Sequence, residues 1–287
     1  MDTAVAPGFT EPFLNGMIAI AGEENVVSAA KRTRRLSKDY YWYSPVLKRL
    51  LDDKRADAVV RVSELDTLKR VVSHCVRGGV PIVPRGHGSG NYGQSIPLFG
   101  GVLVDLRGMD TIHSVDGVAH VEPGATLGDI ELRAREAGWE LRCKPSTWVK
   151  CTMGGFLCGG SGGIGSISWG GINNGDNIKS ITLLTIEEEP QLIRFEERDA
   201  MKSVHTYGTT GIMVDIEMRL APRRDYEQII INAESWDDLL DWTDGVARDA
   251  AVAKRLVTQF EWPIPQFFRP LEKHLKAEEH ATFLLVQ

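Results

Sequence analysis

Apolar positions along the chain fall into short runs with two different periods, and the period separates helices from strands. Leu65, Leu68, Val71, Val72, Cys75 and Val76 recur at helical spacing, with Ser63 and Asp66 placed as a capped start and Gly78-Gly79 as the stop, which predicts an amphipathic helix. The segment Val80 to Val83 and the Val- and Leu-rich run Gly101 to Leu106 predict buried strands on either side of a glycine-rich loop, PRGHGSGNYG. Val118 to Glu122 alternates as a strand, Pro123-Gly124 turns the chain, and Thr126 with Asp129 opens a helix that stops at Gly138. Strands are expected at Ile178 to Ile186 and at Gly211 to Leu220, where Ile212, Val214, Ile216, Met218 and Leu220 share one face. Pro222 and Arg223-Arg224-Asp225 mark a boundary. Beyond it Glu227 to Asn232 reads as a strand, Ser235 to about Leu256 as a helix with Ser235 and Asp238 at its start, and Phe283 to Gln287 as a strand.

Two stretches have no simple period. Lys31 to Lys38 reads as the solvated basic face of a helix followed by packed rings, Tyr40 to Tyr43, and is given no functional weight. Thr152 to Gly175 holds ten glycines and predicts a loop without regular secondary structure. Ordering such a segment costs roughly 1–2 kcal/mol of backbone entropy per residue, and glycine sits at the costly end. Its interspersed Phe156, Leu157, Ile164, Ile167 and Trp169 argue for a loop held by the fold and a ligand, not a flexible linker.

Composition narrows the class. A chain of 287 residues, 43% hydrophobic and 25% charged, makes one large or two ordinary globular domains. Lys and Arg total 33 against 39 for Asp and Glu, a net charge of -6, which removes the broad positive field of a nucleic-acid binder. Asp2 stands where a signal peptide needs positive charge, Met17 to Ala21 is too short for its apolar core, and no apolar run is long enough to span a membrane, so a cytoplasmic protein is expected. Cys75, Cys143, Cys151 and Cys158 show no C-x-x-C spacing, which predicts reduced, mostly buried thiols without disulfides or zinc.

Glycine, at 29 residues, is the one excess, and its clusters match two well-known patterns by letter. Gly88, Gly90 and Gly93 satisfy G-x-G-x-x-G after a strand, but Pro97 and Gly100-Gly101 stand where a dinucleotide-binding helix must open. Gly159, Ser161 and Gly163 satisfy G-x-S-x-G without the strand and helix that a nucleophile elbow needs. His274 and His280 are wrongly spaced for two metal ligands on one helix face, and no metal site is expected. What the first loop can do physically is wrap a phosphate: glycines at 86, 88 and 90 tolerate the positive φ of a nest of N–H groups, with Arg85 ready to add charge.

Taken together, PRGHGSGNYGQ at Pro84 to Gln94, VEPGATLGDI at Val121 to Ile130, the segment Pro145 to Ile178 and YGTTGIMVDIEMRL at Tyr207 to Leu220 resemble the FAD-binding domain of the vanillyl-alcohol oxidase family, the p-cresol methylhydroxylase (PCMH) type. They occur in the family's order and cover roughly Arg55 to Leu220, closest in flavour to glycolate oxidase and D-lactate dehydrogenase-like members. The resemblance implies an α+β fold: an N-terminal helical segment (1–54), a PCMH-type FAD-binding domain of two α/β subdomains (55–222), and the start of an incomplete α+β cap domain (223–287).

Carried over by position, Pro84, Arg85, Gly86, His87, Gly88, Ser89, Gly90 and Gln94 would hold the FAD pyrophosphate. Ser146, Thr147, Thr152, Met153, Gly154, Gly155, Cys158, Gly162 and Gly163 would line the isoalloxazine and ribityl chain, and Gly211 and Ile212 the adenosine end. Members that attach FAD covalently through the first loop have histidine where this chain has Ser89, so noncovalent FAD is implied. Gly160, where relatives often have asparagine, and Arg61, where a proline commonly precedes the helix, depart from the pattern. The implied activity is oxidation of a small alcohol or 2-hydroxy acid by hydride transfer to flavin N5, with no catalytic residue assigned. The alternative is a flavin-binding subunit without its own substrate site, paired with itself or with a partner that completes the cap.

Overall fold

The computed structural model describes residues 5–287; Asp2, and with it the acidic charge argued against a signal peptide, lies outside the described residues. The architecture is α+β and is built around three sheets. The first part runs α1 (Glu11–Ala21), β1 (Val26–Val27), α2 (Ala30–Leu36), α3 (Pro45–Leu51), β2 (Ala58–Arg61), α4 (Leu65–Arg77), β3 (Ile82–Arg85) and β4 (Val102–Asp105). Its sheet has the order β1-β2-β4-β3, with β2 and β3 parallel to a central, fully buried β4. Helix α4 turns Leu68, Val71, Val72 and Cys75 inward at the expected spacing, but its N-cap is Glu64 without a side-chain bond, so Ser63 does not cap it.

The second part runs β5 (Ile112–Val115), β6 (Val118–Val121), α5 (Leu127–Glu136), β7 (Trp139–Leu141), α6 (Met153–Gly159), α7 (Ser166–Trp169), β8 (Ile178–Leu184), β9 (Leu192–Glu196) and β10 (Ile212–Pro222). These strands form an antiparallel sheet in the order β5-β6-β10-β8-β9, with β7 on the far end of β10. The cap on α5 forms as expected, Thr126 Oγ1 accepting from the Asp129 N–H at 3.1 Å. Strand β10 departs from the expected single face. A register shift between Met213 and Asp215 breaks the alternation, so Ile212 and Val214 enter the core of the first sheet while Met213, Ile216, Met218 and Leu220 enter that of the second.

The glycine-rich stretch also departs from expectation, because two short helices, α6 and α7, form within it. Interior Gly154 and Gly155 cost α6 about 1 kcal/mol each relative to alanine. Burial of Met153, Phe156 and Leu157 contributes about 1.5–3 kcal/mol apiece, and the Thr152 hydroxyl caps the Gly155 N–H, so packing overrides propensity.

The third part comprises β11 (Glu227–Ala233), α8 (Trp236–Arg248), β12 (Lys254–Phe260) and β13 (His280–Val286), with the antiparallel order β11-β13-β12. Helix α8 is capped by Ser235 but stops at Arg248, short of the expected Leu256, because Lys254 onward pairs with β13. This sheet docks on the second part through buried charge. Arg255 of β12 donates to Glu140 Oε2 at 2.8 Å, to Glu131 Oε1 at 3.2 Å and to the Leu141 carbonyl at 3.0 Å. Lys144 completes Glu131 at 2.8 Å, and Arg135 and the Tyr226 hydroxyl complete Glu140. The same strand holds the glycine stretch, as the Arg255 carbonyl accepts from the Gly165 N–H at 2.8 Å and the Lys254 carbonyl from the Ser168 hydroxyl. No described helix is long and apolar enough to cross a membrane.

Candidate functional site

Three features converge on one cavity: the loop that leaves β3, the N-terminal turn of α6, and the entry to β10. Its volume is ≈ 140 Å³, and through Ser89, Gly90, Gln94, Cys151, Gly155 and Gly159 it shares its wall with a cleft of ≈ 630 Å³. The two glycine-rich loops touch. A Cβ at Gly86 would lie 2.0 Å from Thr152 Oγ1, the atom that caps α6, so neither loop can take a side chain there without displacing the other. Positive φ is needed at Gly88 (64°) and Gly93 (76°), not at Gly86 or Gly90, which narrows the expected set of nest-forming positions.

Backbone N–H groups of His87, Gly88, Ser89 and Gly90 have no protein acceptor among the described residues although all four residues line the cavity. Such a run of unused donors suits an anion. Arg85 ties the first loop to the N-terminal segment, donating to the Lys38 carbonyl and, at 3.3 Å, to Ser95 Oγ. Beneath it Asp39 accepts from the N–H groups of Tyr41 (2.7 Å) and Gly93 (2.9 Å). Burial raises the Asp39 carboxyl above its ordinary value, opposed by those two N–H bonds and by the Arg85 charge. Burial, with the Arg107 charge added, pulls the His87 imidazole below the usual histidine value. Burial alone pushes the Cys75 thiol up to about 12, and it pushes the Cys158 thiol at the cavity wall up to about 11; all four cysteines are free.

Of the residues singled out from sequence, Pro84 to Gly90, Gln94, Thr152, Gly154, Gly155, Cys158, Gly211 and Ile212 lie around the cavity, and Ser146 and Thr147 around the adjoining cleft. Met153 instead sits fully buried in the core, and Gly162 and Gly163 line neither space; Gly163 is pressed against the Lys144 carbonyl, 2.2 Å from where a Cβ would stand. The N-terminal segment, which carries no site residue expected from sequence, also reaches these spaces: Asp39 lines the cavity, and Tyr40 and Tyr43 line the cleft. Its rings pack on one another outside the core: Tyr41 is buried, while Tyr40, Trp42 and Tyr43 are exposed and in mutual ring contact. Tyr207 and Gly208 also join the wall, with Tyr207 held by a 2.7 Å bond to His205 and both at positive φ.

The FAD binding domain family matches residues 56–190. Over 205 residues the chain is 27% identical to glycolate oxidase subunit GlcD of Bacillus subtilis, covering 64% of this chain and 43% of that protein. It is 23% identical over 200 residues to a D-lactate dehydrogenase of Anaerostipes hadrus, covering 65% and 41%. The chain thus spans under half the length of both. Among solved structures it is similar to an alkyldihydroxyacetonephosphate synthase, with a TM-score of 0.80 at 18% identity, over 99% of this chain and 62% of the other, a likeness of fold. The cavity fits FAD on its own terms: a side-chain-free cradle at Gly86 and Gly88, a row of unused N–H donors for a diphosphate, and an adjoining cleft large enough for a ring system.

Proposed function

Because residues 56–190 match the FAD binding domain family, we propose that the chain serves as an FAD-dependent oxidoreductase acting on a small alcohol or 2-hydroxy acid. Bound FAD would supply the chemistry, accepting the substrate's hydride at N5. The first loop, Pro84 to Gly90 with Gln94, would hold the diphosphate through backbone N–H groups, and Arg85 would act by bracing that loop. Ser146, Thr147, Thr152, Gly154, Gly155 and Cys158 would face the ribityl and ring portion, and Gly211 and Ile212 the adenosine portion. The single observation that carries this reading is the contact of two glycine-rich loops around one cavity whose N–H donors are unused. The 2-hydroxy acid class is supported by the glycolate and D-lactate of the two relatives' names. In the same reading residues 55–222 form the flavin module, 223–287 begin the cap, and the protein is cytoplasmic.

A second reading, a flavin-bearing subunit without its own substrate site, is favoured by the exposed rings of Tyr40, Tyr43 and Tyr92 beside the cleft, a surface open to a partner. An absorption spectrum of the purified chain, repeated on the supernatant after acid precipitation, tests the common premise. Flavin released into the supernatant is expected; colour retained in the pellet would overturn noncovalent binding, and a colourless chain that takes up no added FAD would overturn the cofactor reading. Anaerobic bleaching by glycolate or D-lactate then separates the enzyme, which is reduced, from the subunit, which is not.

A further inference from the structure

The solvent face of the second sheet carries a cluster that lines neither the cavity nor the cleft. His113 of β5, His120 of β6 and Asp215 of β10 come from three adjacent strands, and one ligand atom from each lies within 4.8 Å of the other two. His120 Nε2 is 2.6 Å from Asp215 Oδ1, and the rings of His113 and His120 are 4.6 Å apart between centroids. Sequence spacing could not show this, because Asp215 is 95 residues from His120.

Backbone irregularities on two strands set the three side chains together. Ile112 pairs with Val121 but Ser114, not His113, pairs with His120, so His113 is the extra residue of a bulge and stands beside His120. The register shift in β10 does the larger work. Met213 and Ile216 lie in the same core, so regular alternation from Met213 would have buried Asp215; the shift turns it out to the face that holds His120. Bulges of this kind re-aim side chains at functional positions.

We propose that His113, His120 and Asp215 form a site for a borderline divalent transition-metal ion such as Zn²⁺ or Cu²⁺. Two imidazoles and one carboxylate suit these ions and not Ca²⁺ or Mg²⁺, which demand oxygen ligands. Bonds of about 2.0–2.1 Å to a tetrahedral Zn²⁺ set ligand atoms roughly 3.3 Å apart. The His120–Asp215 pair must therefore open slightly and the exposed His113 ring must close in, which side-chain rotation can do. The neighbouring cation is Arg194, 3.8 Å from Asp215 Oδ2, and its charge is already met by Glu196 and Glu217. A bound ion would clip β5, β6 and β10 across their solvent face.

The test is calorimetric titration of the EDTA-treated, dialysed full chain with Zn²⁺, together with electron paramagnetic resonance of the Cu²⁺ form. One equivalent should bind, the Cu²⁺ spectrum should show coupling to two nitrogens, and His113→Ala, His120→Ala and Asp215→Asn should each weaken binding at least tenfold. His274→Ala, at an exposed histidine outside the cluster, should change nothing. Absence of binding, binding unaffected by His113→Ala and His120→Ala, or binding lost in His274→Ala would each overturn the site. Circular dichroism of the three variants guards against a loss that reflects unfolding.

Discussion

Replacing Gly86 with alanine tests whether contact between the two glycine loops governs flavin binding. Gly86 does not occupy the left-handed region, so alanine is allowed by its backbone and the effect isolates the contact. The new Cβ would lie 2.0 Å from Thr152 Oγ1 and 3.1 Å from Thr152 Cβ. Rotating the hydroxyl away sacrifices the cap on Gly155, about 1 kcal/mol, and the residual overlap adds roughly 1–2 kcal/mol. Because α6 is anchored by buried Met153, Phe156 and Leu157, the strain falls on the first loop and its N–H donors. A penalty of about 2–3 kcal/mol corresponds to a Kd for FAD raised roughly 30- to 150-fold, measurable by quenching of flavin fluorescence on titration into the apoprotein. The double variant Gly86→Ala, Thr152→Ala removes the colliding hydroxyl and should bind FAD within about fivefold of Thr152→Ala alone. A single Gly86→Ala variant within threefold of the parent, or a double variant no better than it, would refute the reasoning.

Two further outcomes follow from buried charge. Arg255→Ala strips one partner from both Glu131 and Glu140, yet each keeps others, so the loss should sit near the low end of the range for broken buried pairs, about 3 kcal/mol, read as a lower urea midpoint with unchanged slope. A change below about 1 kcal/mol would mean that the network is solvated. His87 has a folded-state pKa below its unfolded value of 6.5, so the unfolded chain binds the proton first and stability present above that pH is lost as pH falls through it toward the folded value. His87→Gln should flatten that part of the profile of urea midpoint against pH, and an unaltered profile would show that the imidazole titrates freely.

The helix of α4, the strands flanking the first loop and the terminal strand were legible because each is decided by local period. Helix α6 was not, because its signal is three apolar residues spaced i, i+3 and i+4 among glycines whose propensity points the other way. The end of α8 was hidden for a related reason: Ala250, Ala251 and Ala253 favour helix, and only pairing of β12 with β13 draws the chain into a strand. Much of the cavity wall could be read from glycine patterns, whereas Asp39, Tyr40 and Tyr43 reach it from the N-terminal segment through Arg85 and Gly93. No spacing rule joins residues so far apart. The bulge in β10 is likewise invisible to a pattern that simply alternates.

The ionic plug that Arg255 drives into the part built on the second sheet bears on what counts as a unit of inheritance in this chain. A boundary at Pro222 looks like a seam where one module could be exchanged for another, yet the strand beyond it supplies the counterion to two interior carboxylates and the carbonyls that fasten Gly165 and Ser168. Any graft at that seam must bring a cation and a strand edge with it, or else neutralise Glu131 and Glu140 in the same step. Modularity here is covalent in appearance and conditional in energy.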